Sequence, residues 1–422
     1  MRRPPFVLLV CALLLPTAAR ATVYTVTTTA DAGAGSLREA LAAADAGDVI
    51  EFAIPGEGVQ QIAPQSALPA VAAGVTIDAT TQPGASCEAW PPTLRVELSG
   101  AQAPATTDGL VVAGDGVVIV GLAISGWPRN GVLVDGVSET VIECNFVGTD
   151  AAGAQAQSNG ADGIRIVGTG VNNLVRANLL SGNTIDGIRI QDADRTAVWG
   201  NRIGTDATGA QPLPNGGAGV ELLGSASLSS IGSPTEPNRI EANGGGGIVV
   251  SGAGAFGNDL LYNSLAKNGS VGIDLVGALL EDPNDPGDAD AGPNRLQNTP
   301  VVSSAAYDEG AGTLTVTYLV DTQLANAAYP LLVAVYGADL DQEEGEVLLG
   351  TVTYTATDFA AGSVAKSFVP QAAVAIGQWL VAAARDDLGN TSEYSEAIAV
   401  PEPGALACGA LALAALRARR RR

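Results

Sequence analysis

The chain has 422 residues, with 44 Asp or Glu, 21 Lys or Arg, 53 Gly and no His. The missing histidine excludes Ser-His-Asp and Cys-His nucleophile pairs and every imidazole metal site, so chemistry here must use carboxylates, Arg, Tyr or a bound cation. Residues 1–21 and 401–422 hold eight of the bases and one acid; the 13 bases and 43 acids between them give a net charge of −30, a surface that repels nucleic acid and anionic lipid and favours cations.

In chain order, Arg2 and Arg3, the apolar residues 6–15 and Ala19-Arg20-Ala21 have the three parts of a secretory signal over residues 1–21, which also makes disulfides permissible. Cys11 and Cys408 fall in the terminal segments, so Cys87 and Cys144 remain as either one bridge or two free thiols. A first strand is expected near residues 23–28. Ser36-Leu37-Arg38-Glu39 has the form of a capping box and opens an Ala-rich run to Asp45, which predicts a short helix over one end of the fold.

Internal periodicity dominates residues 108–280. The element Gly-(Ile/Val)-x-(Ile/Val/Leu) starts at Gly131, Gly163, Gly187, Gly219, Gly247 and Gly272, at spacings of 32, 24, 32, 28 and 25. Asn159, Asn183, Asn215, Asn243 and Asn268 each stand four residues before such a glycine, and Asn145, Asn178, Asn201, Asn238 and Asn263 form a second series. Two repeats carry a nine-residue insertion, without which the unit is 23 to 28 residues throughout. Apolar residues alternate in each short strand, as in Ile164-Arg165-Ile166 and Ile188-Arg189-Ile190. Strands this short bury their apolar side only by stacking coil on coil at about 4.8 Å, which predicts a parallel β-helix with Asn ladders at its corners.

Residues 33–40 and 50–56, the string Ala79-Thr80-Thr81-Gln82-Pro83-Gly84 and the later Gly-Thr-Asp-Ala repeats resemble the CSLREA-type bacterial surface proteins. The resemblance runs from about Thr22 to Thr391-Ser392-Glu393-Tyr394-Ser395, with Gly35 where that family has Cys. It implies a right-handed, pectate-lyase-like β-helix.

Composition changes near residue 300: residues 130–298 hold four aromatics and residues 301–400 hold nine. Period-two runs at residues 314–319 and 347–354, separated by Gly and Asp turns, predict a β-sandwich of fibronectin or immunoglobulin type, with Trp379 as a core filler, against the alternative of a sugar platform. The fold class is thus all-β, a right-handed parallel β-helix with an N-terminal helical cap followed by a small β-sandwich. Its expected parts are a signal peptide (1–21), the capped β-helix (22–280), an acidic junction loop (281–299), the sandwich (300–400) and a tail (401–422). In that tail, Pro401-Glu402-Pro403, an apolar run and terminal arginines resemble the PEP-CTERM sorting signal of Gram-negative bacteria. That resemblance implies recognition and removal by a membrane exosortase.

Three places could carry chemistry. The junction loop offers Glu281, Asp282, Asn284, Asp285, Asp288 and Asp290, an oxygen-only set suited to Ca²⁺ as a clamp between β-helix and sandwich, against the alternative of a hydrated acidic linker. Leu133, Arg165, Arg189, Glu221, Val249 and Asp274 fall in one outward column of successive coils. Pectate-lyase-like enzymes use an Arg or Lys base with carboxylate-held Ca²⁺, so Asp162, Arg165, Asp186 and Arg189 are the lyase candidates; a surface ladder in which Glu221 neutralises Arg189 explains the same residues. Asp150 and Asp206, in insertions that leave the same corner two coils apart, could be the acid and base of a glycosidase along one wall of a groove, or could each close its own turn.

The favoured reading is an exported protein of the outer surface of a Gram-negative bacterium that contacts polysaccharide or envelope material without catalysis. A polysaccharide lyase or glycosidase and a structural spacer are the alternatives. Expected partners are polysaccharide or cell-envelope material and the export and sorting machinery, with no nucleic acid and only transient membrane contact through the tail.

Overall fold

The computed structural model describes residues 21–275 and 283–402; nearly all of the signal and tail segments, with Glu281 and Asp282, lies outside them. Residues 23–274 form three parallel sheets of eight, eight and seven strands, with neighbours in each sheet drawn from successive coils. The third sheet carries the Gly-led strands. Ile164 pairs with Val132 and Ile188, and Ile188 with Val220, while Arg165 pairs with Leu133 and Arg189, and Arg189 with Glu221. The alternation works as the period of two requires: Ile164, Ile166, Ile188 and Ile190 are at most 1% exposed, and the residues between them are half-buried on the outer face. A one-residue slip would place every isoleucine in water, so burial holds the register.

Both Asn series form ladders. In the first, Nδ2 of Asn145, Asn178, Asn201 and Asn238 donates to Oδ1 of the next member at 3.2, 3.1, 3.0 and 3.0 Å, ending on Asn263. In the second, Asn159, Asn183, Asn215 and Asn243 do the same at 2.8 to 2.9 Å, ending on Asn268. Each amide also bonds backbone groups at its corner, as when Asn201 Oδ1 accepts from Asn178 N and Asn201 Nδ2 donates to Val175 O. A third corner, through Asn173, Ser229, Asn258 and Asn294, mixes residue types and shows no period in the sequence.

An open solenoid end exposes unpaired amides and core, and both ends are covered. At the start, helix Leu37–Ala43 buries Leu37, Ala40 and Leu41; Ser36 Oγ accepts from Glu39 N, and Glu39 Oε2 accepts from Gly35 N. Gly35 has a φ of +76°, and a Cβ there would collide with Thr27 Oγ1. Glycine therefore suits the left-handed turn at this position.

At the far end lies a pair of antiparallel sheets. One is three-stranded (Val301–Asp308, Thr313–Leu319, Val364–Phe368) and the other four-stranded (Gly345–Tyr354, Leu331–Ala338, Trp379–Arg385, Ile398–Ala399). Strand Leu331–Ala338 is buried on both faces. Val333 and Val335 fill the sandwich core, while Ala334 and Tyr336 pack into the end of the solenoid core. The last coil's amides find acceptors here: Gly257 N on Asn390 Oδ1 (2.7 Å), Leu260 N on Thr391 Oγ1 (3.0 Å), Asn268 N on Glu344 Oε2 (2.9 Å) and Leu275 N on Glu393 Oε1 (2.9 Å). Trp379 departs from expectation. It begins an interior strand, paired there with Ala399 of the short edge strand, and is 40% exposed, and Tyr318 and Tyr354 occupy the core it was expected to fill. Among the described residues no helix is long and apolar enough to cross a membrane.

Candidate functional site

The third sheet's outer face brings four of the six catalytic candidates together. Asp162 and Asp186 occupy the corner position just before each strand, where Asp162 Oδ1 accepts Asp186 N (3.3 Å) and Asp186 Oδ1 accepts Ala218 N (2.8 Å). Arg189 Nε and Nη2 donate to Asp186 Oδ2 at 2.9 and 2.7 Å, and Nε lies 2.7 Å from Glu221 Oε2. Arg165 Nη2 donates to Gln191 Oε1 at 2.8 Å. Asp162 Oδ2, fully buried and without a hydrogen bond, lies 3.7 Å from both Arg165 Nη1 and Arg189 Nε.

Electrostatics follow from this crowding. Burial is the main force raising the Asp162 pKa, with Arg189 opposing it. Burial, followed by the charge of Asp186, pushes Glu221 up to about 7. Burial works to lower the Arg189 pKa, yet the carboxylates of Asp186, Asp162 and Glu221 outweigh it and raise the guanidinium further. Arg189 is therefore a permanently charged tie among three carboxyl groups and a poor proton acceptor, the opposite of a lyase base. Glu221 belongs to the cluster as fully as the four candidates, and its place in the column was the sequence signal for it.

Asp150 and Asp206 are not in this cluster. Asp150 Oδ1 accepts the N–H groups of Ala154 and Gln155 (2.8 and 3.2 Å), and Asp206 Oδ1 those of Ala210 and Gln211 (2.9 and 3.1 Å), each within its own turn. Burial works to raise the Asp206 pKa, but the Gln211 N–H, the Thr208 hydroxyl and the N–H groups of Ala210 and Gly209 outweigh it and hold it low. A general acid needs the reverse. The two insertions pack against each other. Ala207 N donates to Gly153 O at 2.8 Å, and Ala151 and Ala207 join Phe146, Leu179 and Leu94 in a small core outside the second sheet, with Trp90 against it. Cys87 and Cys144 are bridged, with Cα atoms 6.2 Å apart, and tie the Trp90 loop to this outer core. The signal-like start, with Cys11 and Cys408 set apart in the terminal segments, was what marked the pair in the sequence.

Of the described loop residues, Asp285, Asp288 and Asp290 bring carboxylate oxygens within 4.8 Å of one another and could hold a metal ion. Asn284 does not join them: its Oδ1 accepts from Thr299 N and Oγ1, and its Nδ2 donates to Thr299 O. Asp288, 5% exposed, accepts from Asn298 N (3.0 Å) and Gln297 Nε2 (2.8 Å), and burial above all lifts its pKa to about 7.

A family model described as the right handed beta helix region matches residues 108–279. No curated protein matches the chain in sequence. Among solved structures, the chain is similar to tailspike protein 2 from Escherichia coli O157:H7 bacteriophage CAB120, at 10% identity and a TM-score of 0.25, over 83% of this chain and 59% of that one. It is also similar to the A-module of mannuronan C-5 epimerase AlgE6 from Azotobacter vinelandii, at 13% identity and a TM-score of 0.29, over 59% of this chain and 89% of that one. A third is the tailspike protein gp49 from Acinetobacter baumannii bacteriophage Fri1, a capsular polysaccharide depolymerase, at 8% identity and a TM-score of 0.23, over 89% of this chain and 82% of that one. The chain thus spans about three fifths of the first tailspike's length. The cluster around Arg189 lies in the segment that matches the right-handed β-helix.

Proposed function

We propose that this chain is an exported surface protein whose third-sheet outer face contacts polysaccharide or envelope material and does not turn it over. The observation that carries the reading is Arg189. Its fork is occupied by Asp186 and Glu221 Oε2 lies 2.7 Å from its Nε, so the column is a rigid, internally bonded surface rather than a poised base. Repeats at about 4.8 Å offer a polymer many equivalent weak contacts, which suits avidity. Export would follow from the signal-like residues 1–21 and the PEP-CTERM-like tail.

A glycan array followed by reducing-end and unsaturated-uronate assays on every hit is expected to show binding without product. One feature favours an enzyme instead: beside Asp186 and Arg189, burial and the Asp186 charge push Glu221 up to about 7, the range a glycosidase acid uses. Turnover of any hit that is abolished by Glu221→Gln, with folding intact, would replace the binding reading with that one.

We also propose that Asp285, Asp288 and Asp290 hold Ca²⁺. The donors are all oxygen, as a hard cation requires, and the loop joins the sandwich through the Gly287 and Gln323 backbones. Calorimetry should register Ca²⁺ binding that strengthens as pH rises through about 7, where Asp288 ionises, together with a higher melting temperature. Asp285→Asn should abolish both effects. If Ca²⁺ changes neither heat nor melting temperature, the loop is an acidic linker.

A further inference from the structure

We infer that the ligand of this face is an uncharged, hydroxyl-rich polysaccharide and not a polyuronate. The inference rests on the polysaccharide reading above and deepens it. Two columns make up the face: Arg165, Arg189, Glu221 and their neighbours, and beside them Asp135, Val167, Gln191, Leu223 and Ser251 in matched register.

Charge decides the class. The two guanidinium groups meet three carboxyl groups, Asp162, Asp186 and Glu221, with Asp135 exposed on the next column. Arg189 spends two of its five N–H donors on Asp186 and Arg165 spends one on Gln191. The unused donors still suit sugar oxygens. Their positive field, however, is opposed by Asp186 and Glu221 at 2.7 Å from Arg189 and by Asp162 at 3.7 Å from both guanidinium groups, so a uronate finds the carboxylate places around Arg189 already taken.

The surrounding field adds to this. Residues 22–400 carry 13 bases against 43 acids, and a polyanion with a carboxylate on every sugar approaches against that charge. A neutral chain does not. Gln191 and Ser251 add polar partners that carry no charge, and Leu223 and Val167 add half-buried apolar surface for the C–H faces of sugar rings.

The test is equilibrium binding of the purified full chain, without divalent cations, to neutral glucan, xylan and mannan and to polygalacturonate and alginate. It is run at about 0.01 M and about 0.15 M salt, where the Debye length falls from about 30 Å to about 8 Å. At least one neutral polymer should bind with an affinity that salt changes by less than about threefold, and polyuronates should bind at least about tenfold more weakly at low salt. Asp135→Asn combined with Glu221→Gln should narrow that gap. Arg165→Ala with Gln191→Ala, at unchanged melting temperature, should weaken the neutral polymer.

Polyuronate binding that equals or exceeds neutral binding and fades with salt would overturn the assigned class and leave the polysaccharide reading standing. Neutral binding untouched by the Arg165 and Gln191 changes would overturn the assigned face. No binding to any polymer would overturn the polysaccharide reading itself, and this inference with it.

Discussion

Ile188→Asp should leave no stable β-helix. Ile188 is fully buried, paired in register with Ile164 on one side and Val220 on the other. A carboxylate there has no cation or donor on the core side, and burying it costs at least about 4 kcal/mol, with the lost apolar contacts in addition. That is a large part of the stability of a typical domain. Each coil is also the template for the next, so damage at one coil propagates along the stack. Ile188→Val, which removes one methylene without adding charge, should cost only about 1 kcal/mol. Circular dichroism with thermal melting provides the check. An Ile188→Asp protein that melts within about one degree of the wild type would refute the placement of this side chain.

Raising the pH should loosen the sandwich from the end of the solenoid, and Glu344 should set the midpoint. Its two oxygens accept Asn268 N (2.9 Å) and Asn268 Nδ2 (2.7 Å), so the second Asn ladder ends on this one residue. The carboxyl group is 2% exposed. Burial chiefly, with the nearby charge of Asp339, drives its pKa from 4.5 to about 8, against the pull of the Asn268 donors. The charged and titratable groups around it are Asp339, whose Oδ2 accepts Lys267 N at 3.3 Å, and Tyr394, whose own pKa burial raises well above the ordinary value.

A folded-state pKa above the unfolded value means that the neutral form is favoured on folding. The stabilisation is therefore complete below about pH 4.5 and is lost as pH rises through about 8. A shift of this size corresponds to a few kcal/mol across that window. Melting temperature, and protection of the Asn268 and Leu275 amides against exchange, should fall together between about pH 6 and about pH 9. Glu344→Gln should flatten that fall, whatever its effect on stability at neutral pH. A slope unchanged in Glu344→Gln would assign the pH dependence to another group.

Much of this was legible before any coordinates. The register of Arg165 on Arg189 and Glu221 followed from counting between glycines, because in stacked coils a sequence interval is a spatial neighbour. The two Asn ladders were legible for the same reason. The third corner was not, because Ser229 interrupts Asn173, Asn258 and Asn294 and the intervals of 56, 29 and 36 between them do not repeat. The Gly-Thr-Asp-Ala insertions were legible as insertions, but their direction was not. They fold over Phe146 and Leu179, where Trp90 also packs after a long excursion from an earlier coil. Trp379 was misplaced because strand periodicity places a residue on a face and does not say which part of that face another element covers.

The sequence by itself determined the coil, its period, the residues inside it and the columns outside it, because these depend on neighbours at a repeated interval. Only the tertiary structure decided what closes the far end and which acids lose water. The amides of the last coil are bonded by Glu344, Asn390, Thr391 and Glu393, all at least 76 residues further along the chain. Burial of Glu344 and Glu221, and with it their proton affinity, depends on what packs around each carboxyl group. Desolvation is a property of a surrounding volume, and no local stretch of sequence encodes that volume.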